Sequence, residues 1–268
     1  SSLNRDDLKE IDALIFLAAF NNDPLGNVNP KIIYDKELNY TLKAARLCKK
    51  LNIKFIYPSS CSVYGFGKNK FNESSKLNPL TLYSKNKVNI ENKLKRISNK
   101  SFKPIILRLA TVFGPSPRLR LDLVANMFCG MSIVNNKIEL NSNGLSWRPH
   151  VYIDDVCEVI AYFIDQNKAL YRDNIYNVGN DKNNLLTIQL ANKLIKSNKK
   201  IKIEKLKLKN QIFSDKKIVN GVDKRSYMVS FLKLKKLMRT KYPSTNIILG
   251  LKKLNEFLKK NNFNKKIL

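Results

Sequence analysis

Three short apolar runs dominate the first half of the chain: IDALIFLAA (Ile11–Ala19), IKFIYPSS (Ile53–Ser60) and KPIILRLATVFG (Lys103–Gly114). The first is a short, continuous apolar run, as expected for a buried strand of a parallel sheet, and the other two read as a second and a third strand. Between the first two, Lys31–Leu51 has helical periodicity, with Ile33, Leu38, Leu42, Ala45 and Cys48 near one face. A second helix is expected over Tyr83–Ser98. Strand, helix, strand, helix, strand with crossovers of this length predicts right-handed connections. The fold class is therefore α/β, a Rossmann-like doubly wound parallel sheet.

Beyond Gly114 the pattern loosens. SPRLRLDLVANMF reads as a loop entering a helix, and KIELNSNGLSWRPHVYI as two short strands around a turn. Asp154–Gln166 is expected to be helical, with two carboxylates suited to its N-terminal turn. NIYNVGN reads as a strand, Thr187 as an N-cap for a helix through Lys196, and Asn246–Lys260 as a final helix. Residues 1–115 are expected to form the sheet domain, with return elements near 150–180. Residues 116–268 are expected to form mainly a smaller C-terminal α/β lobe.

A chain of 268 residues with 43% hydrophobic content is large enough for a substantial core. No run reaches the 18 or so apolar residues of a membrane span, and no secretory signal is expected at the start. Cys48, Cys61, Cys129 and Cys157 are scattered without CxxC pairing, as in a cytoplasmic protein with reduced thiols. The net charge of +29 raises the possibility of a polyanionic partner. Yet the lysines are spread over every segment, with no interleaved stacking aromatics, so compositional drift is the preferred reading and nucleic acid is not the expected partner.

The stretch IYPSSCSVYG places small hydroxyls at the end of the second expected strand, where ligands collect in open α/β sheets. Tyr83 and Lys87 follow four residues apart, on one face of the expected helix. A tyrosine with a reference pKa of about 10 needs about 4 kcal/mol to reach neutrality. A lysine ammonium about 4 Å away, at an effective dielectric near 20, supplies that order of energy. With a serine to hold the substrate oxygen, the set suits alcohol oxidation or ketone reduction by a nicotinamide cofactor.

DALIFLAA, IKFIYPSSCSVYG, NPLTLYSKNKVNIE, ILRLATVFGPSPRLRLDLVANMF, WRPHVYIDDV and YNVGN resemble, in this order, the extended short-chain dehydrogenase/reductases. The nearest branch is the nucleotide-sugar epimerase/dehydratase group. The resemblance runs from about Asp12 to Tyr227. It implies Ser60 as the substrate-orienting hydroxyl, Tyr83 as acid/base, and Lys87 as its activator and a nicotinamide-ribose contact. Ala18, Ala19, Asn39 and Val112 would line the dinucleotide. Thr111 and Asn126 would lie near the sugar and diphosphate, and Arg148 would grip the diphosphate with its planar guanidinium. Asp223 and Arg225 match a late nucleotide-contacting segment. His150 is expected to be structural.

The chain also departs from that pattern. The glycine-rich turn GxxGxxG, whose backbone N–H groups hold a pyrophosphate, does not occur among its nine glycines. The resemblance implies that roughly 50–60 residues, the size of a βαβ unit with its next strand, are missing from the N-terminal side. The Asp-Glu pair of the dehydratases is replaced by Cys61 and Ser62, so dehydration is not expected. Phe16 stands where many relatives have histidine.

The expectation is thus a fragment of an NAD-dependent nucleotide-sugar epimerase. An NADP-dependent nucleotide-ketosugar reductase and a non-catalytic, basic, nucleic-acid-binding relative are the alternatives. A homodimer is expected, as the resemblance implies, through Lys31–Leu51 and Tyr83–Ser98 packing into a four-helix bundle; the physical motive is that Val88, Ile90, Leu94 and Ile97 should not all face one sheet.

Overall fold

The structure, a computed structural model, describes residues 3–19, 30–140, 142–166, 174–197, 199–205 and 225–264. The first apolar run forms β1 (Ala13–Ile15), which is shorter than the run itself. After α1 (Pro30–Lys50) the second run forms β2 (Lys54–Ser60). β3 (Phe66–Phe71) and α2 (Leu82–Ile97) follow, and α2 leads to β4 (Ile105–Leu109). β1, β2 and β4 join β8 (Ile175–Val178) in a sheet of order β1-β2-β4-β8, parallel throughout. The three apolar runs thus supply adjacent strands.

Pro58 sits in β2 although both sides of that strand are paired. The Ile56 carbonyl accepts from Phe16 N at 2.9 Å. By the two-residue period, the N–H that Pro58 lacks would also face β1, beyond its last paired residue Ile15. The proline therefore removes no ladder bond, and β1 stops where the crevice above the sheet begins.

The third apolar run is two strands rather than one. Ala110 N donates to Val178 O at 2.9 Å, closing β4 onto β8. The next residue starts β5 (Thr111–Phe113), which pairs with β7 (Trp147–Tyr152) in another sheet. This abrupt change of partner splits the backbone above the carboxyl ends of β2 and β4.

The C-terminal half holds α3 (Val124–Val134), β6 (Lys137–Leu140), α4 (Ile153–Asp165), β9 (Asn184–Leu186), α5 (Thr187–Ser197) and β10 (Lys202–Lys205). β11 (Ser226–Val229), α6 (Leu232–Met238) and α7 (Ile247–Lys260) complete it. β6 and β7, expected to flank one turn, do not pair with each other. β6 pairs with β10, and β7 lies between β5 and an antiparallel β9. Strand character is local, whereas the partner is chosen by distant segments. Thr187 begins α5, but its hydroxyl donates to Ser146 O at 3.3 Å rather than capping the helix.

One core lies between the main sheet, α4 and α6, and a second packs α1 and α2 on the opposite face. A third joins α3, α5 and α7 to β6. Ile90, Leu94 and Ile97 belong to the core under α1, and Val88 packs into the first core. Ile90 and Leu94 are fully buried and Val88 and Ile97 partly so, because α2 packs against both α1 and the sheet. They supply no motive for a helix-bundle dimer.

Candidate active site

β2 ends at Ser60, and the chain makes a single 3-10 turn over Cys61–Tyr64. Ser60 Oγ accepts from Ser62 N at 3.1 Å. Gly65 ends the turn at φ 68°, where a Cβ would lie 1.8 Å from Asn78 O. Only glycine fits there. Cys61 Sγ donates to Arg108 O at 3.1 Å, tying the turn to β4.

A capping box starts α2: Thr81 Oγ1 accepts from Ser84 N, and Ser84 Oγ accepts from Thr81 N. This fixes Tyr83 in the first turn and Lys87 one turn further on. Tyr83 and Ser60 line one cavity of about 740 Å³. Ala19, Thr111 and Val112 share that wall, beneath the point where β4 gives way to β5. Towards the C-terminal lobe the lining includes Asn126, Arg148 and Arg225, together with Arg118 and Arg120, which sequence reasoning did not single out.

Lys87 does not line the cavity. It is 1% exposed, beneath Tyr83, with its ammonium 5.5 Å from that ring's centroid. Nζ donates to Glu37 Oε1 at 3.2 Å and to Tyr57 OH at 3.1 Å. Burial pulls the Lys87 pKa down, and the Glu37 carboxylate pulls it back up. Burial, reinforced by Glu37, pushes the Tyr57 phenol well above its usual range, so that phenol stays protonated. The lysine is therefore half of a buried ion pair rather than the bare charge that spacing alone suggested.

A second buried pair braces the site. Arg108 Nη2 donates to Glu91 Oε2 at 2.7 Å, Nε reaches both Glu91 oxygens, and Ser59 Oγ donates to Glu91 Oε1 at 2.6 Å. Arg108 Nη1 donates to Tyr64 OH at 3.0 Å, and Tyr64 OH to Asn177 Oδ1 at 2.8 Å. The chain of bonds links α2, β2, β4 and β8, holding the Ser60 backbone in fixed relation to the helix that carries Tyr83.

Two further expected cofactor residues lie outside the cavity lining. Asn39 is exposed on α1 and does not line the cavity. At about 100° per residue, it lies about 200° around the helix from Glu37, which turns inward. Ala18 is likewise exposed and outside the cavity lining, whereas Ala19 is in it. Both ends of the Asn126 amide hold the loop after β5: it donates to Arg120 O at 2.9 Å and accepts from Gly114 N at 3.2 Å. Arg148 Nη1 donates to the carbonyls of Trp147 and Arg225, with its guanidinium 5.4 Å from the Tyr227 ring centroid. Asp223 lies outside the described residues. His150 is fully buried on β7, away from the cavity lining, and burial lowers its pKa to about 4.

Glu37 had a legible signal. Tyr34, Glu37, Thr41, Ala44 and Cys48 are all buried at helical spacing, so a carboxylate occupied the inward face of α1. Residues suited to the nicotinamide half of a dinucleotide are present in Ala19, Tyr83 and Val112. The glycine-rich cradle for the pyrophosphate is not in the sequence. Among the described residues there is no cluster of metal-ligating side chains and no helix long and apolar enough to cross a membrane.

Residues 4–179 match the family described as the NAD dependent epimerase/dehydratase family. ADP-L-glycero-D-manno-heptose-6-epimerase of Brachyspira hyodysenteriae is 27% identical over 240 residues, which span 86% of this chain and 71% of that protein. The fold also matches UDP-glucuronic acid 4-epimerase from Bacillus cereus, solved with UDP-glucuronic acid and NAD. The TM-score is 0.77 at 23% identity, covering 96% of this chain and 78% of that one. dTDP-glucose 4,6-dehydratase from Bacillus anthracis, solved with NAD, gives 0.75 at 22% identity, covering 98% and 78%. At such identities these structures show the fold alone.

Proposed function

We propose, from the premise that the chain belongs to the NAD dependent epimerase/dehydratase family, that it serves the epimerisation of a nucleotide sugar. NAD is the cofactor of this family of enzymes, and when bound it supplies a reversible two-electron acceptor. The observation that carries the reading is that Ser60 and Tyr83 share one cavity, at the carboxyl end of the parallel sheet, with Lys87 directly beneath Tyr83.

In this reading Ser60 Oγ holds the sugar oxygen and the Tyr83 hydroxyl takes and returns its proton. Lys87 stabilises the phenolate form through its charge, and Ala19 and Val112 frame the nicotinamide. Arg148, Arg225 and Arg118 give the other end of the cavity a cationic lining suited to a diphosphate. Thr111 contacts the sugar, and Asn126 shapes the mouth by holding the loop after β5. Residues 1–115 serve the cofactor and most of 116–268 the substrate, in a cytoplasmic protein for which the family resemblance, rather than any unpacked helix face, is the ground for expecting a homodimer.

Epimerisation is favoured over dehydration because the positions after Ser60 hold no carboxylate. Cys61 is buried with its thiol raised by desolvation, and Ser62 is buried as well. The test is conversion of a panel of nucleotide sugars with NAD, followed by NMR for the stereochemistry of each sugar carbon. An inverted centre that disappears in Tyr83→Phe is the expected outcome. Unchanged turnover in Tyr83→Phe would overturn the assignment, and stoichiometric consumption of NADPH would make the protein a reductase instead.

A further inference from the structure

Lys87 is enclosed more completely than a residue that merely touches a cofactor needs to be. Its side chain is 2% exposed and that of Glu37 is 1% exposed. An ammonium has three N–H donors, and two are already committed, to Glu37 and to Tyr57. A lysine this deep loses its proton readily unless a partner offsets the lost hydration. The groups facing it come from every element around it. α1 supplies Glu37, β2 supplies Tyr57, and α2 supplies Tyr83 and Glu91; the Arg108 of β4 stands behind Glu91.

Of the two carboxylates, Glu91 is unavailable. Both its oxygens accept from Arg108, and one also accepts from Ser59. Tyr57 is an uncharged phenol. Among the described residues, the carboxylate that bonds Lys87 is Glu37.

We infer that Glu37 is a positioning residue that keeps the buried Lys87 an ammonium beside Tyr83. The inference rests on the proposed roles of Tyr83 and Lys87. It adds that the dyad depends on a carboxylate from the first crossover helix, one that touches neither substrate nor cavity. Without Glu37, Lys87 becomes a neutral amine at a lower pH and its field at Tyr83 disappears.

The test follows the charge of Lys87 itself. In protein labelled with ¹³Cε-lysine, the Lys87 resonance is assigned by its loss in Lys87→Met and titrated in wild type, Glu37→Gln and Glu37→Asp. Wild type and Glu37→Asp should retain the ammonium through neutral pH, and Glu37→Gln should titrate at lower pH. The alkaline limb of turnover should move with it, with about a tenfold loss one pH unit above the new midpoint. Identical titrations in wild type and Glu37→Gln would overturn the inference. So would a neutral Lys87 in wild type at pH 7, a result that stands even if Glu37→Gln does not fold. Turnover absent from every variant with every nucleotide sugar would sink the proposed function while the NMR titration still decides the charge of Lys87.

Discussion

The Lys87 ammonium donates to Glu37 Oε1 at 3.2 Å, across the interface between α2 and α1, with both side chains closed off from water. Removing one member strands the other's charge in the interior, a loss that typically costs about 3–5 kcal/mol. Glu37→Ala should therefore lower the unfolding free energy by about that amount in denaturant titrations. The double variant Glu37→Met/Lys87→Met should recover much of it, because two apolar side chains need no compensation. A double variant as unstable as the single one would contradict this account.

Tyr83→Phe should reduce turnover by about 10²–10⁴-fold while leaving substrate affinity nearly intact, since the ring still fills its place. Ser60→Ala should cost less, because water can replace one hydrogen bond. Arg148→Ala should raise KM more than it lowers kcat, as its guanidinium lines the far end of the cavity. Steady-state kinetics separates the three.

Gly65→Ala should destabilise the fold by about 1–3 kcal/mol. The added methyl would need a positive φ and would meet Asn78 O at 1.8 Å, a backbone atom that cannot simply swing aside. Because Gly65 ends the turn that begins at Ser60, turnover should fall with stability. Thermal melts and kinetics on the same sample check both.

His150 makes acid stability measurable. Burial lowers its pKa from 6.5 to about 4 in the folded state, so the unfolded chain binds the proton first as pH falls. Its contribution is intact above pH 6.5 and is lost progressively as pH drops towards about 4, where the folded form also protonates. The integrated loss is about 3 kcal/mol. Relative to His150→Asn, wild type should lose that much stability over the interval; parallel stability–pH curves would refute the assignment.

Calorimetry of these 268 residues with NAD should show weak binding, because the sequence contains no GxxGxxG turn. Micromolar affinity would mean that the pyrophosphate is held by another device.

Both helices of the first half, its three apolar strand runs and the Tyr83–Lys87 spacing were legible because they are local, whereas β3 and the break between β4 and β5 were not. IKFIYPSS and LYSKNK each carry the periodicity of their element, and four residues of helix bring Tyr83 and Lys87 to one face whatever surrounds them. The resemblance likewise singled out Ser60, Tyr83, Lys87, Val112 and Arg148; Lys87 lies directly below Tyr83, and the other four line the cavity. Asn39, which the resemblance also singled out, is exposed and outside the cavity lining, two residues along α1 from the inward-facing Glu37.

By itself, the order of residues determined that this chain would alternate strands and helices and present a hydroxyl cluster before a tyrosine and a lysine. Only the tertiary structure decided that Ala110 would part β4 from β5, that β6 and β7 would take different partners, and that Glu37 would close on Lys87. Those outcomes join residues dozens of positions apart. They depend on which buried polar groups find partners once the layers pack, and no local period encodes that choice.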